Sequence, residues 1–255
     1  MGVTDLGYRW YGRRLRRRVV AGPVPEHVAV IMDGNRRWAR QMGLDNLSVG
    51  HQHGAEHLQR LLEWCADLGI IQVTVFVASI DNLTHRDADE VSFLMHLAER
   101  VIAARLTQPT NRWRVHLAGH LDTLPDSTTI ALKDAVEVTR DREYDLTVAI
   151  GYDGRVEIAD AVRCLLQREA QAGTTTAELA ARLTADDIAA HLYVPGLADP
   201  DLIIRTSGEQ RLGGFLMWQS AYSDMCFCDV YWPGFRHIDF LRALRTHAAR
   251  KTGRR

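Results

Sequence analysis

The sequence predicts an α/β domain: a mainly parallel central β-sheet flanked by helices on both faces. Three observations lead there. Five apolar, β-branched runs alternate with segments whose apolar residues recur at helical spacing. The runs carry few polar interruptions, as expected of strands buried on both sides. Residues with chemical character (Asp33, Ser79, Gly151 and Arg205) stand where such runs end, at the edge where open α/β sheets bind ligands. With 255 residues and 46% hydrophobic composition, the chain can bury a proper core.

The composition also excludes. A net charge of −1 gives no bulk signal for nucleic acid. The cysteines are Cys65, Cys164, Cys226 and Cys228, with no Cys-x-x-Cys pair, which reads as reduced thiols rather than disulfides or zinc. No run is long and apolar enough to span a membrane, and no signal-peptide core opens the chain. A cytoplasmic protein is expected. There are no internal repeats and no low-complexity tract.

In order, residues 8–18 (YRWYGRRLRRR) interleave arginines with Tyr8, Trp10, Tyr11 and Leu15. Two readings stand: an arm lying on an anionic membrane, or a solvated helix packing its aromatics on the body. Pro23 and Pro25 separate it from the first strand, 27–32. Asp33 ends that strand, Gly34 and Asn35 turn, and Arg36 to Met42 can wind as a helix. Residues 51–68 are helical, with Gly69 as the stop; His53 and His57 are expected on the helix surface. Strand 71–79 follows, then an 88–106 helix that is apolar nearly all round (Ile102 among its apolar residues), which marks a core helix. Strand 113–119, helix 127–140, strand 144–150 and helix 156–171 come next. Residues 172–200 are helical but irregular, broken by Gly173, Pro195, Gly196 and Pro200. A short strand 201–205 and a helix 237–250 complete the pattern.

Chemistry concentrates in two places. In the first, a helix start with free amides and Arg36, Arg37 and Arg40 suits a phosphate. Asp33 among these arginines makes sense as the holder of a divalent cation that itself grips phosphate oxygens. A plain Asp-Gly turn is the structural alternative. A calcium loop is excluded, because Trp38 and Leu44 occupy its glycine and glutamate positions. In the second, Arg205 and Arg211 flank a small-residue turn, Ser207-Gly208, and can pinch one diphosphate; a surface turn with two solvated arginines is the alternative.

The stretch HVAVIMDGNRRWAR resembles the first signature of the cis-prenyltransferases, the undecaprenyl diphosphate synthase family, short-chain actinobacterial and lavandulyl-type members among them. Further motifs follow in order: His51 and Gly54 of a Gly-His-x-x-Gly, Ser79-Ile80-Asp81-Asn82-Leu83, Gly151-Tyr152-Asp153-Gly154-Arg155, then Arg205 through Arg211, and CFCDVYWPGF. The resemblance spans roughly residues 23–245. No P-loop, Rossmann fingerprint or catalytic triad competes with it.

The resemblance implies a single catalytic domain, 23–250, between a basic arm, 1–22, and a basic tail, 251–255. It implies Mg²⁺-dependent coupling of prenyl diphosphates by a homodimer whose C-terminal segment reaches towards the partner's site. Asp33 would hold the metal. Gly34, Asn35, Arg36, Arg37, Trp38, Arg40, His51 and Arg86 would bind the allylic diphosphate, and Arg205, Ser207, Arg211 and Gly213 the attacking C5 diphosphate. Ser79 and Asn82 would assist proton removal. Asp224, where relatives carry glutamate, is carried over as a second metal ligand. The 88–106 helix would wall the tail cavity. Because side chains alternate along a strand, Val77 shares the face of Ser79 and is a candidate cavity floor; packing against the 88–106 helix alone is the structural alternative.

Several positions depart from the family pattern. Leu47 replaces an arginine, Asp81 replaces a glutamate, Arg86 comes one residue late, and Gly213 replaces the serine that helps bind isopentenyl diphosphate. Two couplings therefore remain open: head-to-tail with isopentenyl diphosphate, or head-to-middle with dimethylallyl diphosphate. A non-catalytic accessory subunit is the competing class, against which Asp33, Asn82, Arg205 and Arg211 all speak. A nucleic-acid binder using residues 9–18 lacks any reader motif.

Overall fold

The strand β1 (His27–Ile31) is buried at every position. Its side chains alternate between two cores: Val28 and Val30 enter the larger one, Ala29 and Ile31 the smaller. That double burial makes it central. In the computed structural model, which describes residues 3–253, β1 is flanked by β2 (Gln72–Ser79) and β5 (Leu202–Arg205). With β3 (Trp113–Ala118), β4 (Tyr144–Tyr152) and β6 (Asp224–Phe227), they form a six-stranded sheet of order β3-β4-β2-β1-β5-β6, parallel throughout. The expected α/β architecture with helices on both faces is what the chain adopts. Residues 1, 2, 254 and 255 of the expected arm and tail lie outside the described residues, as do the side chains of residues 3–9, Ile102 and Ala103.

The helices are α1 (Val3–Val20), α2 (Asn35–Gln41), α3 (Ser48–Ala66), α4 (Ile80–His85), α5 (Ala88–Leu97), α6 (Ala104–Leu106), α7 (Asp126–Thr139), α8 (Gly154–Gln171), α9 (Thr176–Arg182), α10 (Ala185–Ala189) and α11 (His237–Gly253). The larger core is filled from α3, α5, α7 and α11, and α1 adds Leu15 and Val19 to it. The smaller core sets Ala29, Ala118 and Ala149 against Tyr152, Phe215 and Leu216. Small strand residues there leave room for the rings, and Phe76 stacks on Phe215 at 4.9 Å.

Besides β6, a sixth strand beyond the five expected, the structure differs from the sequence expectations in four places. The 88–106 helix is not uniform: α5 and α6 are joined by a π-helical segment, Ala98–Ala103. There Glu99 accepts hydrogen bonds from Ser127 and Thr128 at the start of α7. Residues 80–85, left unassigned between strand 71–79 and the 88–106 helix, form α4, because Ser79 and Asn82 make a reciprocal capping box. Strand β2 carries register irregularities against β4 between Phe76 and Ser79. Strict period-two alternation therefore fails just where it was used to place Val77. Finally, His57 is not on the surface: it is 5% exposed, its ring held between Trp64 and Trp232. His53 is exposed, as expected.

Candidate active site

The parallel sheet brings the C-terminal ends of β1, β2 and β5 side by side, and the two chemical clusters meet there. Asp33 follows β1 and Arg205 ends the neighbouring β5. Arg205 Nη2 donates to Asp33 Oδ2 at 2.8 Å, and Arg37 Nη2 lies 3.4 Å from the same oxygen. The other carboxylate oxygen accepts the Gly34 amide at 2.6 Å. The Asp33 carbonyl is pinned by Thr206 Oγ1 and the Trp232 amide. Burial alone would push the Asp33 carboxyl up. Hydrogen bonds from Arg205 and Ser207, with the charges of Arg205 and Arg37, outweigh it and hold the pKa below the ordinary carboxylate value.

Arg205 is 7% exposed, and its Nη1 donates to the Arg211 carbonyl at 2.5 Å. Arg37 donates to Ser207 Oγ at 2.8 Å and lies over the Tyr231 ring. Ser207 has φ +84°, an unusual value for a non-glycine residue, held by the hydrogen bond that its amide N–H donates to the Val230 carbonyl. Arg211 points outward and pairs with Glu209, which also faces Arg37. Gly34, at φ +100°, cannot be replaced freely: a Cβ there would stand 2.7 Å from the Tyr231 ring.

On the other side of the pocket one carboxylate gathers three bases. Glu90 accepts from Arg86 at 3.0 Å, meets His51 Nε2 at 3.1 Å and pairs with Arg36 at 3.4 Å. Burial, with the Arg86 charge, lowers the His51 pKa, against the pull of Glu90. The glycines of the α3 motif have a packing reason. A Cβ on Gly50 would lie 2.2 Å from the Asn35 carbonyl oxygen, and one on Gly54 would lie 2.2 Å from Asn35 Oδ1. They let α3 close on the start of α2. Asn35 Oδ1 is buried without a hydrogen-bond partner.

A cavity of about 490 Å³ at this edge brings together Asp33, Gly34, Asn35, Arg36, Arg37, Arg40, His51, Val77, Asn82, Arg86, Arg205, Arg211 and Gly213. An apolar recess of about 60 Å³ opens from it, sharing Met32, Asn35, His51, Phe76 and Val77, and runs on between Leu58, Leu94, Leu97, Val101 and Trp232. A cavity of about 600 Å³ beside the end of α3 contains none of the expected site residues.

Four expected residues do not line the cavity. Ser207 stands behind Arg37. Ser79 caps α4, its Oγ accepting from the Asn82 amide at 2.9 Å. Trp38 is on a different face of α2 from Arg36, Arg37 and Arg40, and packs on His53 at 5.0 Å. Asp224 is a correction: it begins β6, paired in register with Leu202 at the N-terminal end of the sheet. There it is 5% exposed and bound to His247 Nδ1 at 2.9 Å, so within one chain it cannot share a cation with Asp33. Sequence reading missed Glu90, Glu209 and Phe76. Only the Arg86–Glu90 spacing of four along a helix was available as a signal for Glu90.

Among the described residues no three His, Cys, Asp or Glu side chains cluster to hold a metal on their own. Asp33 among arginines nonetheless fits Mg²⁺, which is commonly held by one or two carboxylates together with substrate phosphates and water. The cavity therefore combines the Asp33 carboxylate, several arginines and an adjoining apolar recess.

Comparison with known proteins agrees with this architecture. The family model described as "Putative undecaprenyl diphosphate synthase" matches residues 31–254. An isoprenyl transferase of Streptomyces fradiae is 58% identical over 98% of each chain. A (2Z,6E)-farnesyl diphosphate synthase of Thermobifida fusca is 51% identical over 98% of each chain. Among solved structures, lavandulyl diphosphate synthase from Lavandula x intermedia, in complex with dimethylallyl diphosphate, superposes with a TM-score of 0.81. It is 28% identical, over 88% of this chain and 95% of that one.

Proposed function

Because the chain belongs to the undecaprenyl diphosphate synthase family of prenyltransferases, we propose that it is a short-chain prenyl diphosphate synthase. It joins an allylic diphosphate, dimethylallyl or geranyl, to a C5 diphosphate, with (2Z,6E)-farnesyl diphosphate as the product type. The observation that carries this reading is the junction of the arginine-lined cavity with the apolar recess at Phe76 and Val77. A diphosphate and a short hydrocarbon tail have adjoining places.

In this reading Asp33 holds Mg²⁺, which neutralises charge on the diphosphate that leaves. Gly34, Asn35, Arg36, Arg37, Arg40 and Arg86 bind the allylic diphosphate and stabilise the charge that builds on it as the carbon–oxygen bond breaks. Glu90 keeps Arg36, Arg86 and His51 oriented for that task. Arg205 and Arg211 hold the C5 diphosphate beside it. Leu58, Leu94, Leu97 and Trp232 enclose the tail and keep water from the allylic cation. Asn82, supported by Ser79, lies at the rim and assists removal of the proton after the new bond forms. The enzyme acts as a cytoplasmic homodimer, with α1 in contact with a membrane surface and residues 23–250 as its catalytic unit.

A second coupling is favoured by one observation. Gly213 offers no hydroxyl to the C5 site and, at φ +62°, sits beside Arg205. Such a site also suits dimethylallyl diphosphate attacking through its internal carbon, which yields a branched product. Incubation with Mg²⁺ and each pairing of C5, C10 and C15 diphosphates, followed by identification of the dephosphorylated products, tests both. A linear Z-farnesol supports the first coupling and a lavandulol-type alcohol the second. No product from any pairing contradicts the functional reading.

A further inference from the structure

We propose that the outward face of α1 is a docking surface for an anionic lipid bilayer. This rests on the membrane contact in the functional reading, not on the chemistry of prenyl transfer. The helix has two opposed faces. Leu15 and Val19, at 2% and 1% exposure, pack into the core, and Tyr11 turns inward to lie under Arg242 of α11. The opposite face runs Trp10, Arg13, Arg14, Arg17 and Val20, spaced as one helical stripe. All five are exposed, Trp10 at 62% and Val20 at 55%. Arg14 stacks on Trp10 at 5.6 Å. Among the described residues no carboxylate pairs with Arg13, Arg14 or Arg17.

Charge complementarity identifies the occupant. The sequence of α1 holds six arginines against one aspartate in a chain whose net charge is −1. Positive charge is thus concentrated on this helix while the rest of the chain is net acidic, which orients this side towards a negative plane. An apolar side chain at each end of the arginine stripe suits the boundary between headgroups and acyl chains, where Trp settles. A nucleic acid would have no use for Val20, and no helix of the described residues is long and apolar enough to cross a membrane. The helix therefore lies on the surface.

Docking this way leaves the catalytic cavity free. Arg16 of α1 donates to the carbonyl of Asp67, just past the end of α3, whereas the cavity is lined from the opposite end of that helix, at His51.

The test is flotation of the full-length protein with vesicles of phosphatidylcholine alone, or of phosphatidylcholine mixed equally with phosphatidylglycerol, at about 50 and about 500 mM salt. Binding is expected to the anionic vesicles only, and to fall about tenfold or more at high salt. Combined Arg13→Glu, Arg14→Glu and Arg17→Glu should abolish it, and Trp10→Ala should weaken it several-fold. Prenyl transfer in solution, assayed on the same preparations, should be unchanged by either variant. A wild-type protein inactive in transfer yet bound to anionic vesicles would sink the functional reading and leave the docking surface intact. Equal binding to neutral vesicles, binding that survives the triple charge reversal, or retention on duplex DNA without vesicle binding would each overturn the proposal.

Discussion

Replacing His57 by Phe should stabilise the protein, and increasingly so as the pH falls. The His57 ring is 5% exposed, its centroid 4.8 Å from that of Trp232 and 5.4 Å from that of Trp64. Neither ring nitrogen has a partner in hydrogen-bond geometry. Burial, aided by the Arg60 charge and opposed by the Phe235 backbone, lowers its pKa from 6.5 to about 4. The unfolded chain therefore takes up a proton near pH 6.5 that the folded chain refuses until near pH 4. Between those values the unfolded state binds more protons, so stability falls as the pH falls. A gap of about 2.5 units at 1.36 kcal/mol per unit is a loss of about 3 kcal/mol by pH 4. Phe keeps a ring between the two indoles, has no nitrogens to leave unpaired and does not titrate. At pH 7 the gain should be about 1 kcal/mol, from relieving the unpaired nitrogens. Near pH 4.5 the difference between the two proteins should approach about 4 kcal/mol. Urea unfolding followed by far-ultraviolet circular dichroism at several pH values reads both. Parallel stability–pH curves for wild type and His57→Phe would refute the assignment of this burial to a neutral, depressed histidine.

Three further outcomes follow from the cavity. Glu90→Gln removes the charge shared by Arg36, Arg86 and His51; the fold should persist while turnover drops about 10- to 100-fold through loss of orientation, and unchanged steady-state kinetics would dismiss Glu90 as a positioning group. Val77→Ala, at the mouth of the apolar recess, should lengthen the products or admit a longer allylic substrate at a cost of about 1 kcal/mol, read by chromatography of the dephosphorylated products; an unchanged profile from a folded variant would mean that the tail runs elsewhere. Gly213→Ser must take a positive φ, costing about 1 kcal/mol, but sets a hydroxyl near Arg205; competition between the two C5 diphosphates should shift several-fold towards isopentenyl diphosphate, and an unaltered ratio would detach Gly213 from C5 selection.

The sheet was legible in the sequence because its strands are buried on both faces and their composition says so: Val28 to Ile31 could hardly be anything else. The ends of those strands marked the place of the candidate site, since a parallel sheet puts Asp33, Ser79 and Arg205 on one edge whatever the loops do. What escaped was set by partners distant in sequence. His57 looks like a surface histidine until Trp232 is folded onto it. Glu90 looks like half of a helical ion pair until Arg36 and His51 arrive from other elements. The irregular register of β2 leaves no mark in the residues of 71–79, so the alternation that put Val77 alone on the cavity floor overlooked Phe76 beside it. Asp224 was transferred from a motif. Its register opposite Leu202 and its bond to His247 come from β6 and α11, whose meeting the motif does not encode.

In the proposed function Asp33 is the negative centre that holds Mg²⁺ against the diphosphate. Asp33→Asn keeps the size of the side chain and an acceptor for Arg205, and removes the charge. Turnover of the variant with saturating allylic and C5 diphosphates, measured across a Mg²⁺ titration, tests this directly. An intact fold by circular dichroism is expected, with turnover lowered by at least about 10²-fold at every Mg²⁺ concentration. Turnover within a few-fold of wild type at the same Mg²⁺ would contradict it.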